Sequence, residues 1–227
     1  MINRTQTTTA THAQAALKAG VLATQAPLFG NLQVGGASMT FERNAEIFGE
    51  GESSEYVYKV LSGSVRAYKV LSDGRRQVTA FYLPGDVFGI ESGEDHSYSA
   101  EAIDKATILV VRRHSLFNTA ESNNEVARHL WSITAAELRR SQNHALLLIK
   151  TAKERIAAFL LDMSERLAGK GFVELPMSRQ DIADYLGLTI ETVSRTLTLL
   201  SEGSTIQFLA SRRIVLRNTS RLNELNA

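Results

Sequence analysis

Residues 177–200 read MSRQDIADYLGLTIETVSRTLTLL, and this stretch predicts two short helices joined by a tight turn. Ser178 stands three residues before Asp181, the spacing at which a serine caps a helix and an acid stabilises its first turn. Gly187 is expected to end this helix, because glycine adopts the left-handed conformation at little cost. Thr189 then caps a second helix. Together these signals are typical of a helix-turn-helix, a motif that enters the DNA major groove.

The second helix carries its apolar residues on one side. Val193, Leu197 and Leu200 recur at helical spacing and are expected to face the core. The opposite side, near the helix N-terminus, presents the residues expected to contact base edges: Ile190, Glu191, Ser194 and Arg195. Arginine presents two donors to guanine, glutamate accepts from cytosine, and an aliphatic group touches the thymine methyl. An ordinary solvated ion pair between Glu191 and Arg195, one turn apart, is the alternative.

Two short apolar runs at 206–209 and 214–216 follow the helices and predict a β-hairpin, so the whole segment is interpreted as a winged helix. Hydroxyl and guanidinium groups at the helix starts and at the hairpin tip are expected to bind backbone phosphates. These residues are Ser178, Arg179, Thr189, Thr192, Arg212 and Arg213. Phosphate contacts position a protein on the duplex without reading its sequence.

The segment 38–116 has a different pattern, in which short apolar runs alternate with turn signals. Asp73-Gly74 lies between the runs 65–71 and 77–83, and both residue types tolerate the positive φ that a tight hairpin requires. Regularly spaced short strands of this kind predict a small antiparallel barrel or roll.

A long helix is predicted next, because neither proline nor glycine occurs from 118 to 167. Its apolar positions form a partial seam, and burial of this seam against a second copy of the chain predicts a homodimer. The predicted dimer contacts are Val126, Leu130, Ile133, Leu138 and Leu147. The alternative is that the stripe packs only against its own β-domain.

Four segments make up the predicted organisation, which has an α+β fold class. They are an N-terminal arm over 1–28 with a short helix at 12–21, a β-roll over 29–118, a dimerisation helix over 119–152, and a winged helix-turn-helix over 153–227.

Composition restricts the function classes. Lys and Arg total 25 against 24 Asp and Glu, so a net charge of +1 gives no overall attraction to nucleic acid. The absence of cysteine excludes disulfides and thiolate metal sites. No apolar run suggests a membrane span, and Met1–Gly20 does not resemble an export signal, so a cytoplasmic protein is expected.

Beyond the arm, the sequence resembles the cyclic-AMP receptor/fumarate-nitrate regulator (CRP/FNR) superfamily, and more narrowly its FixK-like branch. The resemblance rests most specifically on Leu188–Arg195, and also on the glycines of the β-domain: Gly51, Gly63, Gly74, Gly85 and Gly89. It implies a cyclic-nucleotide-binding-like β-roll, a long dimerisation helix and a C-terminal winged helix-turn-helix. It further implies a homodimeric transcription activator that reads a TTGA-type palindrome in double-stranded DNA and recruits RNA polymerase. For the FixK-like branch, the implied targets are genes of low-oxygen respiration and nitrogen fixation.

Two departures from the family pattern predict a regulator without a cofactor. Members that bind cyclic nucleotides have Gly-Glu for the ribose and Arg-Ser for the phosphate, but here Gly89 precedes Ile90 and Tyr98 precedes Ser99. A buried phosphate without its arginine would lack a charge partner. The N-terminal cysteines that hold an iron–sulfur cluster in the oxygen-sensing branch are also missing. The chain is therefore expected to be competent without an effector.

Position 178 is a candidate redox position by the same resemblance, because FixK-like sequences can carry cysteine there. If cysteine is the native residue, its oxidation to an acid beside a phosphate-facing helix start would repel DNA.

Two other functions stay open at the level of sequence. An enzyme or metal protein built on the β-domain is one, although the histidines are scattered and show no ligand spacing: His12, His96, His114, His129 and His144. A regulator gated by some other small molecule in the roll, acting as an activator or as a repressor, is the second.

Overall fold

The computed structural model describes residues 23–24, 27–29, 32–33, 35–167 and 171–226. The predicted helix at 12–21 therefore lies outside the described residues, as does the predicted arm up to residue 22. Ala23–Thr24 pairs with the strand that contains Ala37, so the end of the predicted arm belongs to a sheet. Two compact units divide the chain: Met1–Lys69 with Ala80–Arg139, and Val70–Thr79 with Arg140–Ala227.

Short antiparallel strands precede the helices, as the alternation of apolar runs and turns predicts. They are β1 (Ala23–Thr24), β2 (Pro27–Phe29), β3 (Leu32–Gln33), β4 (Gly36–Phe41), β5 (Glu46–Phe48), β6 (Tyr56–Ser62), β7 (Val65–Val70), β8 (Arg76–Tyr82), β9 (Val87–Phe88), β10 (Ser99–Ala102) and β11 (Ala106–Arg112). Two sheets have the orders β1-β4-β11-β6-β9 and β5-β10-β7-β8, and β2 pairs with β3. The predicted hairpin is confirmed, with β7 beside β8 and Gly74 at φ 84°.

The central strand β11 pairs with β4 on one side and β6 on the other. Successive side chains of a strand point to opposite faces. Accordingly, Ile108 and Val110 enter the aromatic core of the roll, whereas Leu109 and Val111 pack in a second cluster with residues of the helices that follow. Both faces of β11 are therefore buried, which explains its continuous apolar sequence.

The predicted single long helix is in fact three helices. They are α1 (Arg113–Ser122), α2 (Asn124–Leu147) and α3 (Ala152–Arg166). Asn123 has an extended backbone, and its side-chain oxygen accepts from the Glu125 N–H at 2.9 Å. Thr151 forms a capping box with Glu154 and starts α3. Polar side chains can offer the backbone a local partner and so end or start a helix without glycine or proline, which is why the sequence criterion missed both breaks.

The predicted dimer seam on α2 needs correction at Val126, and at its other positions it stays a prediction. Val126 is fully buried in the core of its own unit, and Leu130 and Ile133 pack against the same cluster. Leu147 is buried as well. These side chains already have apolar neighbours within one chain, so Val126 has no surface left for a partner. Of the five predicted seam residues, Leu138 is exposed, at 59%.

The second unit has the helices and hairpin predicted for a winged helix. Beside α3 it contains α4 (Arg179–Leu186), α5 (Ile190–Glu202) and α6 (Thr219–Asn226). A small sheet of order β12-β14-β13 is formed by β12 (Val173–Glu174), β13 (Ile206–Ala210) and β14 (Arg213–Leu216). The hairpin predicted from the two apolar runs is thus confirmed.

The core of this unit lies where α3, α4 and α5 pack together. Val193, Leu197 and Leu200 of α5 are 0–3% exposed, as their helical spacing predicts. They pack in the same unit as the buried side of α3, which supplies Ile156, Ala157, Phe159, Leu160 and Met163. None of the helices within the described residues is both long and apolar enough to cross a membrane.

Gly187 offers a test of the turn that joins α4 to α5. Its φ is 61°, and its N–H donates to the Ala183 carbonyl. We expect Gly187→Ala to destabilise the protein by about 1–2 kcal/mol, because a Cβ opposes the left-handed conformation. Gly187→Asn is the matched control and should cost less, since asparagine tolerates this region. Urea unfolding measures both variants, and equal losses for alanine and asparagine would contradict the conformational explanation.

Candidate nucleic-acid interface

The first helix of the motif begins at a complete capping box. The Asp181 N–H donates to Ser178 Oγ at 3.1 Å, and the Ser178 N–H donates to Asp181 Oδ2 at 3.0 Å. Ser178 Oγ also donates to Asp181 Oδ2 at 2.6 Å. These bonds satisfy backbone donors that would otherwise lack a partner at the start of α4. They fix the direction in which the chain enters the helix.

Asp181 is buried, and a cation balances its charge within the second unit. Arg76 Nη2 lies 2.7 Å from Asp181 Oδ1 and 2.7 Å from Asp184 Oδ2. Gln180 donates to the other oxygen of Asp184 at 2.6 Å. A buried carboxylate without such partners would be strongly destabilising. Arg76 is 105 residues from Asp181 in sequence, and no local pattern pointed to it.

The second helix starts at Thr189, as predicted. Thr189 Oγ1 accepts from the Thr192 N–H at 3.2 Å. The backbone N–H of Glu191 and the Thr189 hydroxyl both bond the Glu191 carboxylate and lower the pKa of that residue. The carboxylate is thereby held ionised at the N-terminus of α5, where the helix dipole also favours negative charge.

The outward side of α5 carries the four residues predicted to contact bases. Glu191 and Arg195 are exposed, Ser194 is half-buried and Ile190 is 37% exposed. Within the described chain, no ion pair joins Glu191 to Arg195, so the simple ion-pair alternative has no support in the structure. An acid, a guanidinium and an aliphatic group therefore lie together on one solvent-facing helical surface.

The predicted phosphate contacts lie at two places in the second unit. Ser178, Arg179, Thr189 and Thr192 are at or near the starts of α4 and α5, where backbone N–H groups point outward. The Arg179 guanidinium lies over the Phe208 ring of the hairpin, 5.8 Å from its centroid. This contact holds a cation between the first helix and the wing.

At the hairpin tip, both predicted arginines have contacts of their own. Arg212 donates to the Pro176 carbonyl at 2.9 Å. Arg213 donates to Glu174 at 3.1 Å and lies over the Phe172 ring. The side chains of Arg212, Arg213 and Glu174 are exposed. The ion pair between Arg213 and Glu174 therefore contributes little stability. Their part in phosphate binding stays a prediction.

Ser178 lies within bonding distance of a carboxylate. An oxidised cysteine at this position would place an acid against Asp181, which now accepts the hydroxyl proton. Repulsion would then act on the capping box. Because this chain has serine at position 178, the redox position stays a prediction.

The family model of the Crp-like helix-turn-helix domain matches residues 154–225, and that of the cyclic nucleotide-binding domain matches residues 38–123. The nitrogen fixation regulation protein FixK of Azorhizobium caulinodans is 51% identical over 85% of this chain and 80% of its own length. The chain belongs to the CRP/FNR family of transcription regulators.

Two further similarities place it in the FixK-like branch of that family. FixK of Rhizobium meliloti is 44% identical over 82% of this chain and 85% of its own length. The solved structure of FixK2 from Bradyrhizobium japonicum matches with a TM-score of 0.82 and 53% identity, over 85% of this chain and 98% of that one. This CRP/FNR protein is therefore a transcription regulator with a helix-turn-helix DNA-binding domain, and members of its family are not enzymes.

The interior of the roll is the place where a CRP/FNR member could hold a cyclic nucleotide. Tyr98, which the resemblance predicts to stand where nucleotide-binding members have their phosphate-binding arginine, packs against Phe48 with ring centroids 5.4 Å apart. The Gly89 N–H donates to the Tyr98 hydroxyl at 3.0 Å. Tyr58 and Phe88 stack in the same cluster at 5.3 Å. Aromatic side chains of the protein itself therefore occupy this interior.

Metal binding receives no support from the residues described. Among them, no group of three or more histidine, cysteine, aspartate or glutamate side chains could hold an ion. His96 is buried against Phe48, with ring centroids 3.6 Å apart, while His114 and His129 are exposed. His12 lies outside the described residues.

Thr189 provides a test of how Glu191 is held. We expect Thr189→Ala to raise the pKa of Glu191 toward the ordinary value of 4.5, because one of its two hydrogen-bond donors is removed. Thr198→Ala is the control, since the Thr198 hydroxyl bonds the Ser194 carbonyl in the same helix. An NMR titration of the side-chain carboxyl measures both variants. An unchanged Glu191 titration in Thr189→Ala would show that the threonine does not position the acid.

Proposed function

We propose that the protein is a homodimeric activator that reads a TTGA-type palindrome in double-stranded DNA and recruits RNA polymerase. The observation that carries the proposal is the outward side of α5, where Ile190, Glu191, Ser194 and Arg195 stand opposite the buried stripe. In this proposal the N-terminal half of α5 enters the major groove. A helix fits that groove, and its first residues reach base edges.

The chemistry of this surface suits a mixed half-site. Arg195 can donate two hydrogen bonds to guanine O6 and N7, Glu191 can accept from cytosine N4, and Ile190 can contact a thymine methyl. The Glu191 carboxylate is ionised at neutral pH and can therefore accept, and its lowered pKa extends this state to more acidic solution. Discrimination in the proposal comes from these side chains, whereas Arg179, Arg212 and the caps of α4 and α5 supply phosphate contacts.

The proposed dimer uses an exposed apolar side of α2. Trp131 is 77% exposed and Leu138 is 59% exposed, and a spacing of seven residues puts them on the same side of the helix. A large exposed tryptophan is costly in water and is common at the centre of interfaces. Trp131 thus replaces Val126 in the proposed seam. A two-fold axis along α2 would present two copies of α5 to the two halves of a palindrome.

Independence from a cyclic nucleotide is supported by the filled interior of the roll. The position of the phosphate-binding arginine is held by Tyr98, whose hydroxyl already accepts the Gly89 N–H. A nucleotide would have to displace the aromatic cluster and bury its phosphate without a guanidinium partner. The proposed activator therefore uses no cyclic nucleotide, and because the sequence has no cysteine, the proposal includes no iron–sulfur cluster either.

The biological setting is proposed from the relatives. Two proteins at 51% and 44% identity carry the name nitrogen fixation regulation protein FixK. We assign the present protein to the same class of cytoplasmic regulators, with targets among genes for low-oxygen respiration and nitrogen fixation.

A regulator gated by a small molecule, acting as activator or repressor, is the second candidate. A surface cavity of about 550 Å³ in the first unit favours it, and Ser54, Arg112, Arg113 and Phe117 are among the lining residues. This cavity lies outside the filled interior of the roll. A ligand-dependent change in thermal denaturation would favour the gated regulator over the effector-independent one.

Arg195 tests base readout. We expect Arg195→Ala to cost about 1–3 kcal/mol per half-site and to relax discrimination at one base pair, because a bidentate contact to guanine is lost. Arg221→Ala is the control, since Arg221 is exposed and bonds Glu224 on α6. Affinities for the palindrome and its single-base variants at one salt concentration provide the measurement. Equal losses on the palindrome and on random duplex would refute a base-reading role for Arg195.

Trp131 tests the dimer. A central aromatic residue in an interface contributes about 2 kcal/mol or more, so we expect Trp131→Glu to raise the dimer Kd by about thirtyfold or more. Leu209→Glu is the control, because Leu209 is 55% exposed on the hairpin and away from α2 in sequence. Sedimentation over a concentration series gives the Kd. A Trp131→Glu protein that remains as dimeric as Leu209→Glu would exclude this side of α2 as the interface.

A further inference from the structure

A line of hydrogen bonds runs from the sheet to α2 within the first unit. The Gly89 N–H, just after β9, donates to the Tyr98 hydroxyl at 3.0 Å. The Tyr98 hydroxyl is bonded to the hydroxyl of Tyr82, at the end of β8. Tyr82 in turn donates to Glu137 Oε1 of α2 at 3.1 Å. Three side chains thus connect a turn of the roll with the helix.

The two ends of this line have a defined direction. Tyr82 donates its hydroxyl proton to the Glu137 carboxylate, and the oxygen of Tyr98 accepts from the Gly89 N–H. A tyrosine hydroxyl can take part in both a donated and an accepted bond. The line ends on a carboxylate, which makes its last bond the strongest.

The surroundings of the line are apolar and tightly packed. Tyr82 is 4% exposed, and its ring stacks on Phe88 with centroids 4.9 Å apart. Burial raises the pKa of Tyr98 to about 12 and the pKa of Tyr82 well above its ordinary value. Both hydroxyls therefore remain protonated in neutral solution. Hydrogen bonds in such surroundings are costly to break without replacement.

We propose that Tyr98, Tyr82 and Glu137 form an internal tether that holds α2 on the roll in place of a small-molecule effector. The tether begins at Tyr98, the position of the phosphate-binding arginine in nucleotide-binding relatives, and ends on the helix that carries the proposed dimer surface. The three residues are positioning residues, since none of them contacts DNA in the proposed complex. Their significance for dimerisation rests on the proposed function.

The tether sets the rotation of α2 about its own axis as well as its distance from the roll. Glu137 and Leu138 are neighbours in sequence and point about 100° apart around a helix. With Glu137 held by Tyr82, Leu138 is directed outward, and Trp131 lies on the side of Leu138. Loss of the hydroxyl contacts would permit α2 to rotate or fray while the apolar contacts of Val126 remain.

The test removes single hydroxyl groups from the full chain. Tyr82→Phe and Tyr98→Phe delete the tether hydroxyls but keep the rings, and Glu137→Ala deletes the acceptor. Tyr58→Phe is the matched control, because Tyr58 lies in the same aromatic cluster but not in the tether. Amide hydrogen exchange of residues 130–139 reports directly on α2, and the dimer Kd is measured beside it.

We expect exchange in 130–139 to become about tenfold faster in Tyr82→Phe, the effect of one lost hydrogen bond to a charged group. Tyr58→Phe should exchange like the unmodified protein. Combining Tyr82→Phe with Glu137→Ala should give less than the sum of the two single effects, because both changes break the bond between Tyr82 and Glu137. Additive effects, or equal exchange in Tyr82→Phe and Tyr58→Phe, would overturn the tether.

The proposed function is judged separately, by dimerisation and palindrome binding of the unmodified protein. If that protein fails to dimerise or to bind the palindrome, the proposed function fails, while the exchange of α2 still decides the tether. If it binds and the tether variants exchange normally, the tether alone is wrong. If the variants exchange faster and dimerise more weakly, both are supported.

Discussion

The burial of one side of α5 is the constraint on which the DNA-binding surface depends. Val193, Leu197 and Leu200 are almost fully excluded from water, and burying each such side chain contributes about 1.5–3 kcal/mol. Because this stripe faces the core, the helical period places Glu191 and Arg195 on the opposite, solvent-facing side of α5. The orientation of the base-reading side chains thus follows from apolar packing, and their own polar contacts only adjust it. A surface built in this way is rigid before DNA arrives, which limits the entropy lost on binding.

Local signals predicted the second unit well because its decisive contacts are close in sequence. The capping box at Ser178 spans three residues, the turn at Gly187 needs one, and the cap at Thr189 spans three. The same reasoning failed on the helices of 113–166, where absence of glycine and proline suggested one continuous helix. Asn123 and Thr151 end and start helices through side-chain bonds, and such residues are equally common within loops. The spacing of apolar residues also does not reveal which surface covers them. The sequence therefore predicts Val126 in a dimer contact, whereas the structure places it in the core of its own unit.

Contacts distant in sequence were not predictable in the same way. Arg76 balances Asp181 across 105 residues, and Tyr82 meets Glu137 across 55. Neither pair has a periodic or motif signature, since only the folded sheet brings its members together. The resemblance to CRP/FNR sequences predicted that Tyr98 replaces the phosphate-binding arginine. It did not predict which contacts the tyrosine makes. The structure supplies that step, because it shows the hydroxyl of Tyr98 bonded to the backbone of Gly89.

A net charge of +1 makes the arrangement of the cations decisive. Non-specific attraction to DNA scales with the number of phosphates that are neutralised, so a nearly neutral chain depends on a few well-placed arginines. Arg179 is held over Phe208, and Arg212 is held by the Pro176 carbonyl. Each of these contacts uses the flat face or one nitrogen of a guanidinium, whose five N–H donors leave others available for a phosphate. Held arginines lose less side-chain entropy on binding than mobile ones. The fixed positions of the arginines in the second unit therefore partly offset the weak attraction of a nearly neutral chain to DNA. This requires that the proposed dimer bring two such units to one duplex.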